Sequence, residues 1–271
     1  MPRVRVNGVS LDHVIEGSGP TVVLVHGSWA DRYTWVPVTS LFVGHCRVAS
    51  YDRRGHSRSE RPPGQGSVHE DVADLAALVE TLDLAPVFVC GNSFGGLVAL
   101  RLAHTRPDLV RGVAAHEPPG TGLLAGPDLA DATARMSPVR ALLEAGEDAA
   151  AAELFVEMVA LGPGGWALLP PRVRETFVHN APTHLDELRD PDAFGLDLDA
   201  LASYTGPVLL SHSDDSPPMF APILDRIAAA LPQSVRHVYA GAGHVPHVTR
   251  PEEYARVTLP WVLGSYGRGT A

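Results

Sequence analysis

A chain of 271 residues can form one sizeable core, or a core with an inserted subdomain. Its 21 basic side chains, all arginine, against 31 acidic ones leave a net charge of -10, which supplies no electrostatic footprint for nucleic acid. The opening Met1-Pro2-Arg3-Val4-Arg5 reads as neither a signal peptide nor a membrane span. Cys46 and Cys90 fall in expected buried strands without metal-ligand spacing, which fits a reduced cytoplasmic protein.

In chain order, residues 4–6 and 12–15 suggest a hairpin, followed by a very apolar strand over 21–26 and another over 46–51. Ser67 and Glu70 form a capping box ahead of Val72, Leu75, Ala76, Val79 and Leu82, whose spacing marks one helical face. An apolar strand over 86–90, a helix bearing Phe94, Leu97, Val98, Leu100 and Leu102, and a strand over 110–115 continue the series. Such alternation predicts an α/β fold with a mostly parallel sheet covered by helices on both faces. Its active-site groups should lie beyond the carboxyl ends of the strands.

The pattern changes after Glu117-Pro118-Pro119-Gly120, where helices are expected around 129–144, 149–161 and 171–180. Residues 118–204 therefore read as a helical cap inserted into a core of residues 1–117 and 205–263. In the second part of that core, strands are expected over 207–211 and 233–239 and helices over 218–231 and 251–263. Residues 264–271 read as a frayed tail.

The segment Gly91-Asn92-Ser93-Phe94-Gly95 joins an apolar strand to an apolar helix. Its glycines let the two backbones approach closely, while the serine is held strained with its oxygen exposed, which makes Ser93 a candidate nucleophile. The helix starts at the serine, so its unpaired N–H groups and positive end face developing negative charge. His244, in Gly241-Ala242-Gly243-His244 between the last strand and the closing helix, is the candidate base, with His247 nearby as a pocket-shaping residue. The backbone N–H groups of Ser28 and Phe94 are the expected oxyanion donors, with Trp29 as a substitute for Ser28. His26 is expected to tie its loop together by hydrogen bonds.

Taken together, His26-Gly27-Ser28-Trp29, the stretch from Tyr51-Asp52-Arg53-Arg54-Gly55 through Ser59, the serine elbow and Gly243-His244 resemble the α/β-hydrolase superfamily over residues 10–263. Many relatives place a catalytic aspartate in a Gly-x-x-Asp-Pro-like loop after the strand over 208–211. Here Ser216 takes that register within Ser213-Asp214-Asp215-Ser216-Pro217. Asp214 or Asp215 could serve after a loop shift. Glu117, at the end of the strand that follows the nucleophile-bearing helix, could instead orient His244. The segments around His116-Glu117, Ser213 and His244 resemble the branch containing fungal zearalenone lactonases, where the triad is serine, glutamate and histidine. By that resemblance the triad falls on Ser93, Glu117 and His244, with the second oxyanion donor on Ser28.

The resulting expectation is a serine hydrolase that opens a moderately apolar carboxylic ester or lactone through an acyl-enzyme, lactones favoured, with no metal or organic cofactor. Trp29, Trp166, Met158, Phe220 and His247 are candidate pocket residues, whereas most other cap apolar residues should pack the cap itself, and His179 and His184 should face solvent. A carbon-carbon bond hydrolase and a noncatalytic small-molecule-binding protein are the rival readings. A monomer and a homodimer are equally admissible, with neither nucleic acid nor membrane as a partner.

Overall fold

The computed structural model describes residues 2–264; the expected tail beyond Gly264 lies outside the described residues. Within them, eight strands form one sheet in the order β1-β2-β4-β3-β5-β6-β7-β8. The strands β1 (Arg3–Val6) and β2 (Val9–Gly17) form the opening hairpin, and β2 pairs antiparallel with β4 (Arg47–Tyr51). The remaining neighbours pair in parallel: β3 (Thr21–Val25), β5 (Val87–Asn92), β6 (Val110–His116), β7 (Val208–Ser213) and β8 (Val235–Tyr239). This is the expected α/β-hydrolase architecture, with the central strands apolar because both faces are covered.

Helices α1 (Val36–Phe42), α2 (Val68–Thr81) and α3 (Phe94–Thr105) flank the first half of the sheet. Helix α2 starts where the capping box places it: the Ser67 hydroxyl accepts from the N–H of His69, and the Glu70 carboxylate from the N–H of Ser67. Helix α1 has no counterpart among the sequence expectations, since its single buried pair, Val38 and Phe42, is too short a pattern to mark a face. The sheet separates two apolar clusters. One gathers Val23, Val25, Leu75, Val89, Leu97 and Val113; the other gathers Leu24, Trp35, Phe42, Cys90, Tyr254 and Trp261.

Between β6 and β7 the chain leaves the sheet for α4 (Gly126–Glu144), α5 (Asp148–Phe155), α6 (Gly165–Leu168), α7 (Pro171–Arg189) and α8 (Leu198–Leu201). A single π turn over Val156–Ala160 continues α5. Helix α7 runs on to Arg189, beyond the stop at Asn180 expected from the sequence. Pro182 lies inside it, and the helix absorbs the missing N–H. A third apolar cluster, including Trp29, Val139, Leu143, Ala152 and Phe155, fills the space among these helices. The chain then completes the core with α9 (Phe220–Ala230), α10 (Pro246–Thr249) and α11 (Pro251–Val262).

Candidate active site

The turn from β5 into α3 is shaped by two close backbone approaches. A Cβ at Gly91 would lie 2.2 Å from the carbonyl oxygen of Gly95, and one at Gly95 would lie 2.2 Å from that of Val25. Neither position tolerates a side chain, so strand and helix meet as the elbow requires. Between them Ser93 adopts φ 54°, ψ -125°, a strained conformation for a non-glycine residue. Its N–H donates to the His116 carbonyl at 2.8 Å, which fixes the elbow against the end of β6. The N–H of Phe94 opens α3 and has no acceptor within the helix.

Glu117 follows β6 with φ 46° and is fully buried. Its Oε2 lies 2.5 Å from His244 Nδ1, and its Oε1 accepts the Ser213 N–H at 2.7 Å. Burial opposes its charge, yet His116, His244 and the Ser213 N–H together hold its carboxyl below the usual glutamate range. His116 Nε2 is 3.7 Å from the same carboxylate, and burial pushes that imidazole down to about 4.

Ser213 places both partners of this pair. While its N–H holds Glu117, its hydroxyl accepts the N–H groups of Ala242 and Gly243, just before His244. Asn92 Nδ2 donates to the His244 carbonyl at 2.9 Å, and the imidazole stacks on Phe220 with centroids 5.0 Å apart. The other two candidate acids stand apart from His244: Asp214 and Asp215 are exposed, and Asp214 Oδ1 accepts the Gly241 N–H at 2.6 Å, closing a surface turn.

The loop after β3 runs directly against the elbow, since a Cβ at Gly27 would lie 2.9 Å from Ser93 Cβ. His26 is fully buried. Its Nε2 accepts the Arg53 N–H at 2.9 Å while Nδ1 lies 2.8 Å from the Gly27 carbonyl, and burial followed by the Arg53 charge pushes it down to about 3. It stays neutral and ties the loop together.

Ser93, His244 and Ser28 open on one cavity of about 260 Å³. Its apolar wall comes from Met136, Phe155, Val159, Leu188, Phe194 and Met219, with Phe220 beside His244. Phe220 is thus the pocket candidate from sequence that lines this space. Trp29, at φ 67°, instead turns its ring into the cap cluster, stacked 5.2 Å from Phe155. Met158 and Trp166 pack on the same cluster, where the Trp166 N–H is bound by Glu157 at 2.8 Å. His247 is buried against Trp35, ring centroids 4.2 Å apart, with Nε2 3.1 Å from Thr34 Oγ1. None of these four lines the cavity: Trp29, Met158 and Trp166 pack on the cap cluster and His247 on Trp35.

Asn180 and Arg53 hold the loops around the site together and were not singled out from the sequence. Asn180 on α7 donates to the carbonyls of Trp29 and Ala30 at 3.0 and 2.9 Å and accepts the Ser57 N–H at 2.8 Å, stitching the cap to two core loops. Arg53, paired with Asp71 at 3.0 Å and Glu187 at 2.7 Å, lies over the Phe94 ring. Contrary to its expected solvent-facing position, His184 is buried beside Trp29 and lines the cavity. Its i,i+3 spacing to Glu187 on a helix was the available signal.

The family model described as "Alpha/beta hydrolase family" matches residues 22–257. The chain belongs to the alpha/beta hydrolase family. Over 257 residues this hydrolase is 30% identical to the putative carbamate hydrolase RutD of Serratia proteamaculans, covering 90% of this chain and 91% of that one. Among solved structures it is similar to the enol-lactonase from Burkholderia xenovorans, with a TM-score of 0.80 and 22% identity over 97% of this chain and all of that one. It is also similar to Est816, an N-acyl homoserine lactone degrading enzyme, with a TM-score of 0.78 and 23% identity over 96% and 100% of the two chains. Among the described residues of the hydrolase, no helix is long and apolar enough to cross a membrane, and no group of three or more metal-ligating side chains gathers.

Proposed function

We propose that the hydrolase uses Ser93, Glu117 and His244 as a catalytic triad and cleaves a moderately apolar ester or lactone through an acyl-enzyme. The observation that carries this reading is the Glu117–His244 hydrogen bond together with a strained Ser93, with Ser93 and His244 opening on one largely apolar cavity. Glu117 fixes the tautomer of His244 and stabilises the imidazolium. His244 takes the proton of Ser93 as its Oγ bonds to the carbonyl carbon, and the N–H groups of Ser28 and Phe94 receive the oxyanion. Collapse breaks the carbon–oxygen bond, and His244 returns the proton to the departing alkoxide. Water, deprotonated by the same histidine, then attacks the acyl-enzyme and frees the acid together with Ser93.

For a lactone the alcohol stays attached, so one hydroxy acid results. Support for ring opening comes from the resemblance to the zearalenone lactonase branch and from the shape shared with enol-lactonase and Est816. The likeness to RutD adds carbamates to the carbonyl classes worth assaying. The two buried free cysteines fit a cytoplasmic location. The decisive experiment combines labelling by an organophosphorus probe with turnover of ester, lactone, carbamate and diketone panels read by product mass. A stoichiometric adduct on Ser93 and a lactone product heavier by one water support the proposal. Folded protein that forms no adduct would overturn it.

A further inference from the structure

The cap carries a second histidine–glutamate pair, whose histidine, His184, lines the same cavity. His184 Nδ1 lies 2.8 Å from Glu187 Oε2, and that same oxygen accepts the Ser28 hydroxyl at 2.5 Å. Glu187 Oε1 receives Arg53 Nη2 at 2.7 Å. Burial opposes the glutamate charge, but Arg53 and His184 hold its carboxyl well below the usual range, so it accepts from all three partners. With Nδ1 donating to this carboxylate, Nε2 is the acceptor of the neutral tautomer.

That acceptor is unsatisfied. His184 is 3% exposed, its Nε2 has no hydrogen-bond partner among the described residues and almost no accessible surface, and the ring is flanked by Trp29 and Phe155. A buried polar atom left unpaired is costly, and in native proteins it calls for an explanation. The residue lines the cavity that holds Ser93 and His244, so a modest rotation of its ring on substrate binding would bring Nε2 to a donor delivered with the substrate. The shared carboxylate links this position to Ser28, and so to the carbonyl end of the cavity.

We propose that His184 is a specificity residue that accepts a hydrogen bond from a hydroxyl or amide N–H borne next to the scissile carbonyl. The substrate class is therefore an ester or lactone with a donor at the α position, on an otherwise apolar acyl or ring skeleton. The choice of ester or lactone rests on the proposed hydrolase reading; the demand for a donor rests on His184 alone. Glu187 is a positioning residue that fixes the imidazole and the Ser28 side chain together. A site built around a substrate hydrogen bond rejects the analogue lacking it, because its own polar group is then stranded.

The test uses two matched pairs of γ-lactones: α-hydroxy against α-methoxy, and α-acylamino against its N-methyl form. Wild-type kcat/KM should favour the donor-bearing member of at least one pair by about tenfold or more, and the pair that responds tells hydroxyl from N–H. His184→Phe should lower that ratio to near one, while His184→Gln, which retains an acceptor, should keep part of it. The same pairs are titrated onto Ser93→Ala protein and onto the Ser93→Ala, His184→Phe double variant, where binding needs no turnover. Absence of a Ser93 adduct in the wild type would count against the hydrolase reading, leaving these titrations to decide His184. Equal handling of both members of each pair, a preference that survives His184→Phe in folded protein, or tighter binding of a matched α-carboxylate would overturn the assignment.

Discussion

Glu117 Oε2 stands 2.5 Å from His244 Nδ1, reaching it from the end of the strand next to the one that carries Ser93. Asp214, from the loop where many relatives keep their acid, spends its carboxylate on the Gly241 N–H. Glu117→Gln is therefore expected to slow acylation by about a thousandfold, since the neutral amide neither fixes the tautomer nor stabilises the imidazolium. Asp214→Asn and Asp215→Asn should each change it by less than about threefold. Pre-steady-state acylation with a chromogenic ester measures both, and the reverse ranking would disprove the assignment of the acid.

The elbow is defined by contacts no side chain can enter. Gly95→Ala would put a methyl group 2.2 Å from the Val25 carbonyl oxygen, at the end of a central strand that cannot retreat. A loss of about 3 kcal/mol or more in unfolding free energy is expected. Gly44→Ala, whose added Cβ meets nothing within 4 Å, should stay within about 0.5 kcal/mol of wild type. Denaturant titration of the two variants checks the contrast.

Asn180 joins the cap to the loops after β3 and β4 through three hydrogen bonds to backbone groups, with the Ser57 hydroxyl a further partner at 3.2 Å. Removing its amide in Asn180→Ala strands two carbonyls and one N–H, an expected cost of about 2–3 kcal/mol. Since those carbonyls belong to Trp29 and Ala30, hydrogen exchange should rise in α7 and in the Ser28 loop together. Faster exchange in α7 alone would show that the cap and the loop are held independently.

The buried histidines make stability sensitive to mild acid. An unfolded imidazole takes up a proton near pH 6.5, whereas folded His26 refuses one until about 3. The unfolded state thus binds more protons between these values: the contribution is complete above pH 6.5 and is lost as pH falls toward 3, at roughly 1.4 kcal/mol per pH unit. His26→Gln removes this titration while keeping an acceptor for the Arg53 N–H. The variant should be less stable than wild type at pH 7, and the gap should narrow on going to pH 5. A gap that is constant with pH would show that His26 does not carry the effect.

How far the site could be read ahead of the structure differed residue by residue. Ser93 was legible because its requirements are local: two glycines at fixed spacing, a strand before and a helix after. His244 was legible from its loop between the last strand and the closing helix. Trp29, a candidate pocket residue from the sequence, lies off the cavity because one positive φ sends its ring into the cap cluster. His184 was expected to face solvent because the helix was expected to stop at Asn180; α7 runs on to Arg189 and carries His184 on the face it shares with Asn180 and Glu187.

From the sequence alone came the order of the strands and most of the longer helices, the elbow at Ser93 and the resemblance to a hydrolase fold, because apolar periodicity, capping and glycine spacing act over neighbouring residues. Three questions needed the tertiary structure: which carboxylate meets His244, which aromatic residues line the cavity, and which buried histidine of the cap lines it. Those answers depend on residues far apart in the chain, such as Glu117 with His244 and Ser28 with Glu187. Only the sheet order and the docking of the cap bring such residues within hydrogen-bond distance.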